Sequence, residues 1–166
     1  MALVKGKVFK YGDDVNTDVI FPGKYTYTVS DFDEMGKHAM EDLDPEFIKK
    51  VKPGDFIVAG KNFGCGSSRE QAALCFKALG LGGIIARSFG RIYFRNALNN
   101  GLIIAECREA VDAIEAGEEI SLDIEKGEII TERGTFSFPP PSPKVMHIVE
   151  AGGLVPYVKK RLGIVG

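Results

Sequence analysis

The stretch Gly60-Lys61-Asn62-Phe63-Gly64-Cys65-Gly66-Ser67-Ser68-Arg69-Glu70-Gln71-Ala72-Ala73 concentrates the residues best suited to chemistry. Gly64 and Gly66 let a ligand approach the backbone closely. Ser67 and Ser68 offer hydroxyls, and Arg69 offers a rigid fork of donors matched to a carboxylate. Ser67 and Glu70 have the S-x-x-E spacing of a capping box, which predicts a helix over 67–79. The first turn of such a helix exposes unpaired N–H groups and the positive end of its dipole. Together these residues describe a site for a carboxylate or a phosphate. The same residues also read as ordinary structure: a helix cap, a glycine turn and a surface charge. Spacing alone does not choose between the two.

Other candidates are weaker. The segment Gly12-Asp13-Asp14-Val15-Asn16-Thr17-Asp18-Val19-Ile20-Phe21-Pro22 is rich in acids, but acidic turn residues often serve only as Asx-turn caps. Arg87, Arg91 and Arg95 are spaced by four, and the last two share a helix face that reads as a solvated or subunit-facing stripe. The three cysteines, Cys65, Cys75 and Cys107, are odd in number and widely spaced, so no disulfide framework is expected. There is no close pair such as C-x-x-C, and His38 and His147 are the only histidines, so no metal centre is expected on this chain. Cys65 lacks a neighbouring histidine or acid to activate it. Cys75 and Cys107 read as packing residues.

These groups need a scaffold. Residues 3–10 alternate apolar and polar side chains and predict a strand, followed by turn residues at Gly12-Asp13. Residues 15–29 read as a long irregular loop, and long loops in small domains are often functional. A helix is expected over 31–40, capped by Ser30 or Asp31, and another starting at Asp44-Pro45-Glu46. Buried strands at 56–59, 84–86 and 102–105 alternate with helices at 67–79 and 89–99. That alternation implies a parallel sheet with helices packed on it. After Cys107 the pattern turns to a hairpin, 120–124 with 128–131, and a third short strand at 136–138. Pro139-Pro140-Pro141 is a stiff connector before a last helix over 145–151.

Composition sets outer bounds. At 166 residues the chain suits one domain, residues 1–166, with 45% hydrophobic and 27% charged residues. A formal net charge of -2 argues against a nucleic-acid binder. No apolar run is long enough to span a bilayer, and the first residues do not form a secretory signal, so no membrane partner and a cytoplasmic location are expected.

The loop at 60–73 resembles the signature of the aconitase swivelling-domain superfamily, whose glycine-rich loop ends in Gly-x-Gly-Ser-Ser-Arg-Glu. Residues 13–22 are similar to that family's D-x-x-x-T-D-x-I-x-P segment. Arg87-Ser88-Phe89 and Arg91-Ile92 also match its pattern, and the resemblance runs from the first strand to Leu162. It implies an α/β, three-layer β/β/α fold with a mainly parallel core sheet. It implies that Ser67 is the base that removes the substrate's alpha proton, that Ser68 and Arg69 bind substrate carboxylate, and that Asp18 lies at the site's edge. The family reaction dehydrates and rehydrates a 2-hydroxy diacid. A [4Fe–4S] cluster acts there as Lewis acid on the leaving hydroxyl.

A free-standing domain of this kind resembles a small subunit. The resemblance therefore implies activity only with a large subunit that carries the cluster, and no cofactor on this chain. Self-association of the isolated chain is left open. Family specificity is attributed to a short loop usually beginning Tyr-Leu, which here reads Tyr25-Thr26-Tyr27-Thr28. Relatives acting on homoaconitate have arginine where Tyr27 stands. The ring of Tyr27 suits an alkyl group instead. Conversion of 2-isopropylmalate to 3-isopropylmalate, a step of leucine biosynthesis, is the expected activity, with Tyr25, Thr26 and Tyr27 facing substrate. Another alkylmalate, homoaconitate, or a stand-alone carboxylate-binding role are the alternatives. Gln71 departs from the family, which usually has histidine there.

Overall fold

The computed structural model describes residues 3–67 and 69–164; Ser68 lies outside the described residues. In chain order the first half comprises β1 (Val4–Lys10), α1 (Thr17–Ile20), a 3-10 turn (Gly23–Tyr25), α2 (Phe32–Gly36), α3 (Phe47–Lys50), β2 (Phe56–Ala59) and α4 (Gln71–Ala78). The second half comprises β3 (Gly83–Ala86), α5 (Arg91–Asn99), β4 (Ile104–Glu106), α6 (Arg108–Ala113), β5 (Glu119–Asp123), β6 (Glu128–Thr131), β7 (Gly134–Ser137), α7 (Pro143–Glu150) and α8 (Leu154–Arg161).

The strands form one sheet in the order β4-β3-β2-β1-β5-β6-β7. β1 to β4 run parallel, in registers such as Val8 with Phe56, Ile57 with Ile84 and Ile84 with Ile104. β5 to β7 extend the sheet as an antiparallel meander from the other edge of β1. The short apolar strands are fully buried because both faces of the parallel part are covered. Strand alternation divides their side chains between two cores. Ile57, Ala59, Ile84, Ala86 and Ile104 pack on one face with Phe63, Phe76 and Tyr93 from the helical side. Val8, Phe56, Val58, Ile85 and Ala105 pack on the other face with Ile120, Leu122 and Ile129 of the meander. The sheet thus curls over its own second face, giving the expected β/β/α layering. The α/β class and the parallel core are those implied by the sequence.

Several local expectations are corrected. The helix expected from Ser67 begins at Gln71, and among the described residues no side chain caps it. Instead of capping, the Ser67 hydroxyl turns to Thr17, Oγ to Oγ1 at 3.3 Å. The segment read as an irregular loop contains α1, which Asn16 caps by accepting from the Val19 N–H at 3.0 Å. The helix expected over 31–40 is cut to α2, with Asp31 as its cap, and ends before Met40 at φ 60°. α8 was not anticipated from the sequence. The helix expected from Asp44-Pro45-Glu46 begins at Phe47 as α3, with no side-chain cap from Glu46 at its cap position, and Asp44 Oδ1 instead accepts from the Glu46 N–H at 3.2 Å in an Asx-type turn.

One buried bond joins the helices beneath the glycine-rich loop. The Tyr93 hydroxyl donates to the Ala72 carbonyl at 2.8 Å, tying α5 to α4, while its ring meets Phe63 edge-on at 5.6 Å. Tyr93→Phe keeps the ring and removes the bond, so it is expected to cost about 1 kcal/mol. In a thermal or urea denaturation the midpoint should fall by roughly 2–4 °C or its equivalent, without loss of fold.

Candidate active site

The candidate residues gather where β1, β2 and β3 end. In open α/β sheets the carboxyl ends of the strands form the usual ligand-binding edge. Three loops leave there, at 11–16, 60–70 and 87–90, and backbone bonds lace them together. The Asp14 N–H donates to the Lys61 carbonyl at 2.8 Å, and the Gly64 N–H to Val15 at 2.7 Å. The Thr17 N–H donates to Cys65 at 2.9 Å. On the other side the Phe63 N–H donates to Ser88 at 3.0 Å, and the Gly90 N–H to Phe63 at 2.9 Å. Side chains add to this: Asp13 Oδ1 accepts from the Lys61 N–H at 2.7 Å, and Ser88 Oγ from the Asn62 N–H at 2.8 Å. The central loop is therefore held from both flanks, although its tip is exposed.

Gly64 shows why the loop needs glycine. It sits at φ +80°, and a Cβ there would lie 2.2 Å from the Tyr93 ring. The backbone rests directly on that ring, with no room for a side chain.

At the loop's exposed end stand Ser67 and Arg69. Thr17, buried at 2% exposure, presents its hydroxyl to Ser67 from α1. Arg69 pairs with Asp18, the next residue of the same helix. The Arg69 side chain is mostly covered, at 23% exposure, whereas Asp18 is open at 63%. Gly23 packs against this pair: a Cβ there would come within 3.0 Å of Asp18 Oδ1 and 3.3 Å of both terminal Arg69 nitrogens. The segments expected to carry chemistry, 13–22 and 60–73, are thus brought together. What this arrangement offers is a hydroxyl beside a second hydroxyl, with a guanidinium held nearby by a carboxylate.

The Tyr25–Thr28 loop adjoins them. Tyr25 stacks on His38 with ring centroids 3.8 Å apart, and its hydroxyl donates to Glu41 at 2.9 Å. That bond to the Glu41 carboxylate pushes the Tyr25 phenol above its ordinary range. Burial raises the Glu41 carboxyl, but its bonds to His38 and Tyr25 and the charge of Lys24 hold it below the usual value on balance. The Thr26 hydroxyl is buried and makes no hydrogen bond. Tyr27 projects outward at 98% exposure. Gln71 reaches across from α4, its side-chain nitrogen donating to the Thr26 and Val29 carbonyls, both at 3.0 Å.

The sequence did not mark Thr17 or Gln71 for these places. Thr17 precedes Asp18 in the matched acidic segment, which was the available signal. Gln71 stood out only as a departure from the family. Arg87 pairs with Asp112 at 2.8 Å, while Arg91 and Arg95 are exposed, in keeping with a solvated or subunit-facing stripe. All three cysteines are free: Cys65 is partly exposed in the loop, and Cys75 and Cys107 are buried in the cores on opposite faces of the sheet. Among the described residues no cluster of histidine, cysteine or acid could hold a metal. Three thiols so dispersed do not fit an iron–sulfur cluster. Nor is any helix among them long and apolar enough to cross a membrane. A concavity lined by β1, Lys52, Pro53 and Glu119 lies elsewhere and includes none of the candidate residues.

Comparison with known proteins defines the class. Residues 16–110 match the aconitase C-terminal domain family, a span that holds α1 with Thr17 and Asp18 and the loops at 60–70 and 87–90. The small subunit of 3-isopropylmalate dehydratase from Caldicellulosiruptor saccharolyticus is 52% identical over 162 residues, covering 96% of this chain and 93% of that one. Small subunit 1 of the Archaeoglobus fulgidus enzyme is 50% identical over 156 residues, covering 93% and 96%. A crystal structure of 3-isopropylmalate dehydratase (leuD) from Methanocaldococcus jannaschii superposes with a TM-score of 0.90 at 45% identity, covering 97% of this chain and 96% of that one. The chain belongs to the aconitase C-terminal domain family and, within it, to the small subunits of 3-isopropylmalate dehydratase.

Proposed function

We propose that this chain is the small subunit of a hydro-lyase that converts 2-isopropylmalate to 3-isopropylmalate, and that it supplies half of an active site completed by a large subunit. The single observation behind this reading is the exposed Ser67 beside the Asp18–Arg69 pair, on a loop braced from both sides at the ends of the parallel strands. The reading leaves the [4Fe–4S] cluster to the large subunit, since the thiols here do not fit one.

Ser67 acts as the base. It takes the proton from the substrate carbon next to the carboxylate, and the C–H electron pair becomes the new C=C bond. The hydroxyl leaves the neighbouring carbon on the side that the large subunit completes, so that water is lost overall and an unsaturated diacid forms. Addition of water in the reverse sense places the hydroxyl on the other carbon. A serine hydroxyl is a weak base, so the alkoxide needs stabilisation. Arg69 supplies positive charge, and the Thr17 hydroxyl at 3.3 Å supplies a hydrogen-bond donor. The fork of Arg69 also grips a substrate carboxylate, with Ser68, the preceding residue in sequence, as a second ligand and Asp18 holding the guanidinium. Tyr27 turns its ring toward the alkyl group, and Tyr25 and Thr26 complete that wall.

An open half-site predicts that the purified chain alone does not turn over 2-isopropylmalate. Mixed with its large subunit and reconstituted anaerobically, it should do so and should prefer alkylmalates to homoaconitate. Turnover by the chain alone would refute the half-site. Tight binding of a carboxylate ligand without any partner would favour a stand-alone binding module instead.

A further inference from the structure

We propose that Gln71 is a positioning residue that pins the substrate loop, residues 25–29, against the element carrying Ser67 and Arg69, and so fixes which alkyl group that loop admits. This rests on the function proposed above. The carboxamide nitrogen of Gln71 has two N–H donors, and both are used: on the Thr26 carbonyl and on the Val29 carbonyl, 45 and 42 residues away in sequence. Gln71 opens α4, whose Ala72, Ala73, Cys75 and Phe76 are fully buried, so the tether has a rigid base. Arg69 lies two residues before it on the same chain segment.

The loop's own bonds are local. Thr26 N–H donates to Gly23 at 3.1 Å and Val29 N–H to Tyr25 at 3.0 Å. The bond from the Tyr25 hydroxyl to Glu41 ties the start of the loop to residues outside α4. Gln71 instead spans the turn between 26 and 29 and sets the distance from its apex, Tyr27, to the loop segment that carries Ser67 and Arg69 and runs directly into α4. Tyr27 is 98% exposed, so little in its own packing fixes its direction. The amide donates twice from one atom without bringing a charge into the turn, as a lysine ammonium would. Glutamate would set a carboxylate against two carbonyls, and methionine would donate to neither.

The test uses Gln71→Met and the near-isosteric Gln71→Glu. In the isolated chain, hydrogen exchange at the Thr26, Thr28 and Val29 amides should rise about tenfold or more in both variants. In the complex with the large subunit, KM for the preferred alkylmalate should rise about tenfold, as expected for two lost hydrogen bonds, while kcat changes less than about threefold. Discrimination against malates with shorter alkyl groups should collapse in parallel. Unchanged exchange overturns the tether. Discrimination left intact, or an equal fall in kcat for every acid, overturns the specificity role. If the wild-type complex turns over no 2-hydroxy diacid while exchange still responds to the substitutions, the proposed function has failed, and the specificity role with it, but the tether stands.

Discussion

Ser67→Ala is expected to lower turnover by about 10²- to 10⁴-fold, the range for removing a general base. The loss should appear in kcat, because the hydroxyl acts on the transferring proton and Arg69 still holds the carboxylate. Stability should barely change, within about 0.5 kcal/mol, because Ser67 is exposed and does not cap α4. Had Ser67 been the helix cap that its spacing with Glu70 predicts, alanine would cost about 1 kcal/mol. Steady-state kinetics and a urea melt on the same preparation therefore separate the two roles. A destabilised variant with residual turnover matching the wild type would return Ser67 to a structural role.

Arg69→Lys carries the second large effect. Lysine keeps the charge but loses the planar fork, so it cannot pair with Asp18 and also grip a substrate carboxylate with two parallel bonds. Hydrogen bonds to charged groups contribute about 1.5–3 kcal/mol, so kcat/KM should fall roughly 10- to 150-fold, mainly through KM. The ion pair itself adds little to folding, because Asp18 is largely exposed and such surface pairs are worth about 0–1 kcal/mol. A melt close to wild type with weakened substrate affinity is the expected combination. Unchanged KM would remove Arg69 from the substrate site.

Much of this was legible because each signal matched its physical cause. The buried strands at 56–59 and 84–86 are short apolar runs between glycine and proline turns, and they form β2 and β3 with little shift. The hairpin around Lys126-Gly127 followed from strict alternation, and β5 and β6 pair in that way. The start of α4 misled because a capping box is a local pattern, whereas the fate of the Ser67 hydroxyl was decided by Thr17, fifty residues away in sequence. The same limit hid Gln71: its partners lie in a loop that periodicity does not describe, so only the folded chain reveals the two bonds. α1 was missed because four residues leave no periodic trace, and its stability comes from the Asn16 cap and the Thr17–Cys65 bond. The pairing of Asp18 with Arg69 was foreshadowed only by the family resemblance, which put both near the site.

The chain contains its own reporter for the half-site. Cys65 is the partly exposed thiol in the signature loop, two residues before Ser67, while Cys75 and Cys107 are buried at 0% and 4% exposure. Labelling with a maleimide should therefore modify Cys65 in the isolated chain and leave the other two largely untouched. If a large subunit closes over the loop that carries Ser67, the Cys65 labelling rate should drop at least about tenfold in the assembled, active complex, as expected for a residue buried in an interface core. An active complex in which Cys65 reacts as fast as it does in the free chain would mean that the partner docks elsewhere and that this loop is not where the site is completed.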